Sequence, residues 1–271
     1  MIVQHGGVGT TTLVALAALT TLAAGCSSTP GTYEKSAPVQ LRAEVIGQIP
    51  HDESAFTEGL ELVDGVLYEG TGNEGASTIR TVDPATGAVT RKVDLPKELF
   101  GEGITVVGQT IWQLTYTEGI AIQRDRGTLA ELSRVGYQGQ GWGLCLDRAA
   151  NRLIMSDGTD RLTFRDPKTF DKLGEIHITS GGKPITQLNE LECVPGAVYA
   201  NVWQTDTIVR IDPATATVTA DVDLAGLLPA DTRARVDVLN GIAAVPGSDD
   251  FLVTGKYWPK MFRVRFVPAA T

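Results

Sequence analysis

Metal-binding and nucleic-acid-binding patterns are missing from this sequence. Histidine is scarce: the 271 residues include three, scattered at His5, His51 and His177. Neither a CxxC nor an HExxH pattern occurs, so no metal cluster is visible. Basic residues are outnumbered by acidic ones, 23 against 32, which gives a formal net charge of −9. Because phosphate binding needs a basic face, a role with nucleic acid is not expected.

Charge is also missing from the first 25 residues, which contain no Lys, Arg, Asp or Glu. The run TTTLVALAALTTLAAG is apolar, short and rich in small residues, so residues 1–25 are predicted to be a secretion signal. The order Leu22-Ala-Ala-Gly-Cys26 resembles a bacterial lipoprotein box, in which the cysteine is lipidated. We therefore expect an extracytoplasmic, membrane-anchored lipoprotein, with residues 26–40 as a flexible tether. A plain secretory peptide with an incidental Cys26 is the alternative.

Helical periodicity is absent from most of the remaining chain, apart from the stretches LPKELF and LAGLLPADTRARV. Instead, five short motifs recur: EGL at residues 58–60, EGI at 102–104, WGL at 142–144, NEL at 189–191 and NGI at 240–242. Their first residues are separated by 44, 40, 47 and 51 positions. Self-similarity at this period is typical of propellers and solenoids.

The runs between the motifs decide in favour of a propeller. Most repeats contain three further β-rich runs, separated by turns such as DPATG, DPKTF and DPATA. The sequence therefore predicts an all-β fold over residues 41–271, a five-bladed β-propeller with four antiparallel strands per blade. The fifth repeat has no fourth strand of its own. The N-terminal run RAEVIGQIP has the character of that strand, so we expect it to pair with the last blade and close the ring.

The residue that begins each motif carries the functional prediction. In a propeller the innermost strand of each blade lines the central channel, so these residues should meet at one end of one axis. They are Glu58, Glu102, Trp142, Asn189 and Asn240. Two carboxylates, an indole and two amides around one cavity predict a binding site. The alternative is that they cap turns and solvate the channel mouth, and for Asn240 we favour a role in holding its own turn.

Two cysteines fall within the repeats. Export would permit a disulfide between Cys145 and Cys193. However, the aligned repeats place them one position out of phase, and successive side chains of a strand point to opposite faces. We therefore expect two buried thiols.

Ten segments, taken in order, resemble the plant-type, metal-independent glutaminyl-peptide cyclotransferase family, also called the glutamine cyclotransferase family. They run from about residue 45 to residue 263 and read HDESAFTEGLE, FGEGIT, QLTY, GWGL, MSDGT, LNELE, ANVW, IDP, VLNGIA and TGKYWP. The resemblance implies a five-bladed propeller that converts the N-terminal glutamine of peptides or proteins into pyroglutamate and releases ammonia. It implies no cofactor and no catalytic metal. We expect a monomer.

The resemblance also implies catalytic roles. Glu102, in FGEGIT, matches the general acid/base of the family. Asn189, in LNELE, and Lys256, in TGK, match polar residues around the reacting amide.

A second group of residues is implied in substrate binding. Trp142 and Trp203 match the walls of the substrate pocket. Phe56 and Glu58 match the FTQG motif, which reads FTEG in this chain, and Tyr116 stands where the QLTW motif has tryptophan. Trp112, four residues before Tyr116, would compensate for that change if no bulge intervenes.

The proposed chemistry is an intramolecular attack of the neutral α-amine on the side-chain amide carbon. An α-amine has a pKa near ~8, so a usable neutral fraction exists at neutral pH. The amide nitrogen must leave as ammonia, so a carboxyl that moves a proton from the amine to this nitrogen would speed the reaction, and Glu102 is the candidate. Lys256, with Asn189, would stabilise the developing oxyanion. Alternatively, Lys256 forms a salt bridge with Glu58, Glu102 or Asp157.

Two roles remain open for Glu58. As a neighbouring carboxylate it would raise the pKa of Glu102, or it would bind the ammonium group of the substrate.

Two other functions compete with cyclisation. The first is a non-catalytic propeller lipoprotein that binds a peptide or protein in the same channel. The second is a metal-dependent lactonase-type propeller, whose cation would be held by Glu58, Glu102, Asn189 and Asn240. Lys256 and two tryptophans in the cavity argue against that second reading.

Overall fold

The computed structural model describes residues 6, 7, 9 and 37–269 of the chain. The described residues exclude Cys26 and the predicted tether up to residue 36. Of the predicted leader, they include only residues 6, 7 and 9. Residues 37–269 belong to one compact unit. None of the helices among the described residues is long and apolar enough to cross a membrane.

The described part of the chain is all-β, as predicted, with a single short helix. The strands are β1 Val39–Pro50, β2 Thr57–Val63, β3 Val66–Thr71, β4 Thr78–Val82, β5 Val89–Asp94, β6 Gly101–Val107, β7 Thr110–Thr115, β8 Ile120–Asp125, β9 Glu131–Gly136, β10 Leu144–Asp147, β11 Arg152–Ser156, β12 Arg161–Arg165, β13 Lys172–His177, β14 Thr179–Ser180, β15 Lys183–Pro184, β16 Leu188–Val194, β17 Ala197–Val202, β18 Thr207–Asp212, β19 Thr217–Asp223, β20 Leu239–Ala244, β21 Asp250–Gly255 and β22 Lys260–Pro268. The helix α1 spans Ala230–Arg233, inside the predicted stretch LAGLLPADTRARV. The other candidate stretch, LPKELF, forms a turn instead, with the Leu99 N–H bonded to the Pro96 carbonyl.

Local sequence explains both the strands and the turns between them. Along β19 the apolar residues of TVTADVD are buried at every second position, the period expected of a strand with one packed face. In the turn after β4, the Asp83 carboxylate accepts hydrogen bonds from the backbone N–H groups of Ala85 and Thr86. Asp166 and Asp212 act in the same way in later repeats, which confirms the predicted Asp-Pro turns.

The strands form four sheets. Three are four-stranded and antiparallel, with the orders β2-β3-β4-β5, β6-β7-β8-β9 and β10-β11-β12-β13. The fourth has ten strands in the order β16-β17-β18-β19-β1-β22-β21-β20, with β14 and β15 off this path. Within it, β16 to β19 form one antiparallel group, and a parallel pairing between β1 and β19 joins that group to the rest.

The predicted pairing of the N-terminal run with the last strand is confirmed. Strand β1 pairs antiparallel with β22, from Leu41 opposite Pro268 to Pro50 opposite Lys260. The strand begins at Val39, so it includes the last two residues of the segment expected to be a tether. Its parallel pairing with β19 was not expected from the sequence.

The first strands of the repeats contact one another in a closed cycle: β2 contacts β6, β6 contacts β10, β10 contacts β16, β16 contacts β20, and β20 contacts β2. Glycine permits this close approach. A Cβ atom on Gly103 would lie 2.5 Å from the Trp142 carbonyl oxygen, and one on Gly143 would lie 2.2 Å from the Asn189 carbonyl oxygen. The residues that begin the five motifs therefore come together around one axis.

Cys145 and Cys193 form a disulfide with a Cα–Cα distance of 5.4 Å, so the expectation of two buried thiols is wrong. The two residues lie on β10 and β16, which belong to neighbouring sheets. Cys145 and Leu191 pack in the same cluster between these sheets, and Cys193 packs against that cluster. Side chains one position out of phase point toward each other when two sheets pack face to face. Facing sheets present opposite faces to each other, so strand phase within each sheet does not keep these two side chains apart.

Removing this disulfide is expected to destabilise the fold. The bond closes a loop with a sequence separation of 48. A Cys145→Ser/Cys193→Ser double variant should lose about 2–4 kcal/mol of unfolding free energy, because its unfolded state regains chain entropy. Urea denaturation with and without dithiothreitol measures the loss. The reductant should destabilise the unsubstituted protein and leave the double variant unchanged; equal stability of the two proteins without reductant would contradict the prediction.

Candidate active site

A cavity of about 230 Å³ opens where the first strands of the repeats begin. It is lined by Phe56, Glu58, Phe100, Glu102, Tyr116, Trp142, Asn189, Trp203 and Lys256. The structure thus brings together all eight residues to which the sequence assigned catalytic or substrate-binding roles. The roles themselves remain predictions.

Irregular strand starts turn the anchor side chains toward the cavity. The register of β2 shifts between Thr57 and Gly59, and the register of β6 shifts between Gly101 and Ile104. Similar shifts occur in β16 and β20 at Asn189 and Asn240. An extra residue of this kind breaks the alternation of a strand and re-aims its side chains. The anchors therefore do not follow the in-and-out pattern of the strands that carry them.

Glu58 forms a buried ion pair with Lys256. The Lys256 Nζ lies 2.7 Å from Glu58 Oε1, and the two side chains are 7% and 2% exposed. The Asn240 side chain donates a hydrogen bond of 3.1 Å to the other carboxylate oxygen, Oε2. Asn240 also donates to the Thr57 carbonyl, so it orients Glu58 from behind the cavity. The salt bridge expected as one alternative for Lys256 is confirmed, with Glu58 as its partner.

Glu102 is a buried carboxyl group in the cavity. Its Oε2 atom has no hydrogen-bond partner. Burial and the neighbouring Glu58 carboxylate raise the pKa of Glu102 well above its ordinary value, although the Lys256 charge acts in the opposite direction. This shift favours the protonated form of Glu102, in which the carboxyl group can donate a hydrogen bond to a ligand in the cavity.

The pKa of Glu58 is shifted less. Burial raises the pKa of this carboxyl to about 7, because the Lys256 ammonium offsets much of the desolvation. The two carboxyl groups of this cavity thus have different pKa values, and the higher one belongs to Glu102. Environments that separate two carboxyl pKa values are typical of acid/base sites.

Aromatic rings enclose the rest of the cavity. The Trp142 and Trp203 rings meet edge to face with centroids 5.6 Å apart. Tyr116 lies between Phe100 and Trp142, at centroid distances of 5.8 and 6.5 Å. Two of these rings pack directly on glycines. A Cβ on Gly158 would lie within 2.6 Å of a Trp142 ring atom, and a Cβ on Gly72 within 2.6 Å of a Phe100 ring atom.

Phe56 covers the charged pair, and the Lys256 Nζ lies 4.2 Å from the centroid of its ring. A cation at this distance is attracted by the face of the ring.

Phe100 lines the cavity, and the sequence interpretation assigned it no role. A signal for it was available. Phe100 precedes Glu102 by two positions, as Phe56 precedes Glu58, so the two repeats are equivalent at the phenylalanine as well as at the glutamate.

Trp112 does not compensate for Tyr116. Its ring is 1% exposed and packs against Phe170, with centroids 4.9 Å apart. The indole N–H donates to the Pro167 carbonyl, which anchors the residue between two sheets. Tyr116 itself occupies the cavity wall.

Two amide groups present unsatisfied atoms near the cavity. The Oδ1 atom of Asn189 is buried without a hydrogen-bond partner, and so is the Oδ1 atom of Asn240. The main chain of Asn189 is fixed, because its carbonyl accepts a 2.6 Å hydrogen bond from the Ser156 hydroxyl. A buried acceptor without a donor is costly unless a ligand supplies one, so Asn189 is suited to bind an N–H group.

Below the cavity, the Glu190 side chain lies between the first strands of the neighbouring repeats. This residue stands where the other four motifs have glycine. Its carboxyl group accepts hydrogen bonds from the Ile242 N–H at 2.8 Å and the Leu60 N–H at 3.3 Å. It therefore links the strands that follow Asn240 and Glu58. Burial raises the pKa of Glu190 well above its ordinary value.

A cation site built from the anchors does not fit this geometry. The lactonase-type hypothesis requires Glu58, Glu102, Asn189 and Asn240 to share one cation. The Lys256 ammonium already neutralises Glu58, and Asn240 turns its donor N–H, rather than its oxygen, toward that carboxylate. Within residues 37–269, no three His, Cys, Asp or Glu side chains are placed to hold a metal ion together.

Comparisons with known proteins agree on one family. A family model described as glutamine cyclotransferase matches residues 15–266. A glutaminyl-peptide cyclotransferase of Arabidopsis thaliana is 37% identical over 234 residues, which are 84% of this chain and 72% of that protein. The crystal structure of Myxococcus xanthus glutaminyl cyclase matches with a TM-score of 0.79 and 35% sequence identity, covering 86% of this chain and 100% of the other.

The buried carboxyl groups predict how stability depends on pH. Their pKa values are raised in the folded protein, to about 7 for Glu58 and well above the ordinary value for Glu102, Glu190 and Glu192. Above pH ~5 the unfolded chain has released these protons while the folded protein keeps them, so the unfolding free energy falls as pH rises toward 7. Each proton that only the folded protein retains lowers the unfolding free energy by up to about 1.4 kcal/mol for each unit of increase in pH.

Urea denaturation at several pH values between 5 and 8 measures this slope. Glu102→Gln serves as the comparison, because the amide removes one of the titrating groups and should flatten the curve. Stability that stays constant or increases over this range would show that these carboxyls are ionised in the folded protein.

Proposed function

The chain belongs to the glutamine cyclotransferase family, and from that premise we propose that it is an enzyme that converts the N-terminal glutamine of peptides or proteins into pyroglutamate, releasing ammonia. The observation that carries the proposal is Glu102. It is a buried carboxyl group with a raised pKa and an unpartnered oxygen, in an aromatic cavity beside Asn189 and Lys256. A group of this kind can deliver a proton to a leaving amide nitrogen.

The five-bladed propeller is part of the same proposal. The closed cycle of contacts among β2, β6, β10, β16 and β20 supports five radial units with these strands innermost. The ten-stranded sheet then consists of two units joined at the β1–β19 pairing. In this arrangement β1 supplies the outer strand of the last unit by its pairing with β22.

In the proposed reaction, the neutral α-nitrogen attacks the side-chain amide carbon, and a five-membered ring forms. Protonated Glu102 gives its proton to the amide nitrogen, the bond from carbon to that nitrogen breaks, and ammonia leaves. The Glu102 carboxylate then takes a proton from the ring nitrogen, which had become cationic. Glu102 begins and ends the cycle protonated, the state that its burial favours. No external proton donor is needed.

The surrounding groups supply position and charge. Asn189 Oδ1, which lacks a donor, accepts a hydrogen bond from the N–H₂ of the glutamine side chain. The Lys256 ammonium stabilises negative charge on the amide oxygen, and its pairing with Glu58 keeps the pair neutral before the reaction. Trp142 and Trp203 hold the flexible side chain in a folded conformer, which removes part of the entropic barrier to ring closure.

Replacing Glu102 by glutamine should abolish most of the cyclisation. The amide keeps the shape of the side chain but cannot transfer a proton, so kcat/KM should fall by about 10²–10⁴-fold. Ammonia release from a Gln-initiated dipeptide amide, with chelator present, measures the rate. Glu192→Gln is the matched control, because Glu192 is also a buried carboxyl with a raised pKa but lies outside the cavity.

Loss of activity in the control as well would point to a general effect of removing a buried carboxyl. A folded wild-type protein that releases no ammonia would favour the competing function, a propeller that binds peptides without catalysis.

Location is a further part of the proposal. An apolar, uncharged segment ends at Cys26 in a lipoprotein-like order, which supports export and a lipid anchor on that cysteine. The folded unit would then act as a monomer outside the cytoplasm, on exported peptides or proteins.

A Cys26→Ala substitution tests the anchor. It should move the protein from the membrane fraction to the soluble fraction of a bacterial expression host, because the acylated residue is gone. Fractionation followed by mass spectrometry of the N-terminal peptide checks both location and modification. A protein that is absent from the membrane fraction before substitution would favour the plain secretory peptide.

A further inference from the structure

A buried charged network lies beside the segments that carry Glu58 and Lys256. We call it the Glu69 network; it consists of His51, Asp52, Thr57, Glu69 and Arg80. Glu69 Oε1 receives hydrogen bonds from His51 Nε2 at 2.9 Å and from the Thr57 hydroxyl at 2.7 Å. Glu69 Oε2 receives one from Arg80 Nε at 2.9 Å. Arg80 Nη1 reaches Asp52 at 2.7 Å, at the partly exposed edge of the network.

The geometry fixes the charges of this network. His51 Nδ1 faces the Trp258 carbonyl at 2.7 Å, and Nε2 faces the Glu69 carboxylate. Both partners only accept, and the Thr254 hydroxyl, 3.3 Å from Nδ1, donates to the Lys260 carbonyl, so His51 satisfies its partners as the doubly protonated imidazolium. Burial opposes that charge, but Glu69 and the carbonyl raise the pKa of His51 above its ordinary value. The cations of His51 and Arg80 therefore balance the carboxylates of Asp52 and Glu69.

The network joins two segments that are far apart in the sequence. Thr57, which bonds Glu69, directly precedes Glu58. Trp258, which accepts from His51, follows Lys256 by two positions. Between them, Tyr257 has a left-handed backbone with φ of 62°, and its N–H donates to the Ala55 carbonyl at 2.7 Å. A non-glycine residue keeps such a conformation only where its surroundings impose it.

We propose that the Glu69 network positions the Glu58–Lys256 ion pair, with Thr57 and His51 as the positioning residues. The paired residues are separated by 198 positions, and their 2.7 Å contact requires both segments to be held in place. The network contacts both segments, and no atom of it lines the cavity. The kinetic consequences rest on the proposed cyclotransferase function, whereas the geometric claim does not.

Thr57→Val provides the test, because valine keeps the shape of threonine and removes the hydroxyl that bonds Glu69. We expect kcat to fall about tenfold with KM nearly unchanged, since a displaced ion pair impairs the chemical step while the aromatic walls remain. Thr57→Ser restores the hydroxyl and should restore kcat. Thr81→Val is the matched control: Thr81 is also buried in the same sheet and loses a side-chain hydrogen bond, to Thr90, outside the network. A kcat for Thr57→Val equal to that of Thr81→Val would overturn the proposal.

A second readout does not depend on activity. Carbon-13 NMR titration follows the carboxyl of Glu58, which faces Lys256, Glu102, Asn240 and the charge of Asp237. If Thr57→Val loosens the pair, Lys256 stabilises the Glu58 carboxylate less, and the pKa of Glu58 rises relative to the wild type and Thr81→Val. An unchanged titration overturns the positioning claim. A shifted titration in a protein that releases no ammonia supports positioning and rejects the proposed function.

If Thr57→Val does not fold, Asp52→Asn provides a second test of the network. Asp52 lies at the partly exposed edge, so its substitution weakens the hold on Arg80 without opening the core. We expect a change in the same direction as for Thr57→Val but smaller, in both kcat and the Glu58 titration. Values equal to those of Thr81→Val in both measurements would also overturn the proposal.

Discussion

The site depends on how closely the first strands of the repeats approach each other. Glycine follows the anchor residue in four of the five motifs, and a Cβ at Gly59, Gly103 or Gly143 would collide with the backbone of the next strand. This close backbone contact excludes a Cβ atom at these three positions. Four of the five anchor side chains, those of Glu58, Glu102, Trp142 and Asn189, line the cavity above, and register shifts re-aim the three that lie on β2, β6 and β16. In the fourth motif Glu190 replaces the glycine, and its carboxyl group satisfies two backbone N–H groups at the axis.

The environment of each buried carboxyl decides its charge. Glu69 lies in the same sheet as Glu58 and is as deeply buried, yet the His51 and Arg80 charges and three hydrogen-bonding partners lower its pKa to about 2 despite that burial. Glu102 has no comparable set of donors, and its pKa is raised. The first arrangement stabilises a fixed charge, which suits a structural role. The second favours the protonated carboxyl in an aromatic-lined cavity, at a cost in stability that acid/base sites commonly carry.

Much of the fold could be predicted because the repeat is visible at the level of single motifs. The anchors, the four runs per repeat, the Asp-Pro turns and the pairing of the N-terminal strand with β22 all depend on local pattern and periodicity. The parallel pairing of β1 with β19 could not be predicted in this way, since it depends on how two sheet groups meet. The conditional expectation that Trp112 would compensate for Tyr116 fails for a similar reason. Strand position alone does not distinguish the cavity from the space between sheets, which is where Trp112 packs against Phe170.

The disulfide shows which kind of information a repeat alignment lacks. Alignment gives the face on which a side chain lies within its own sheet. Contact between neighbouring sheets requires opposite faces, so Cys145 and Cys193 meet because they are out of phase. The same reasoning applies to the charged groups. Glu58 and Lys256 occupy different phases of different repeats, and their ion pair depends on the path of the chain around Tyr257 rather than on periodicity. Equivalent positions with the same residue therefore identify the scaffold, whereas the asymmetric contacts that determine chemistry have to be obtained from three-dimensional structure.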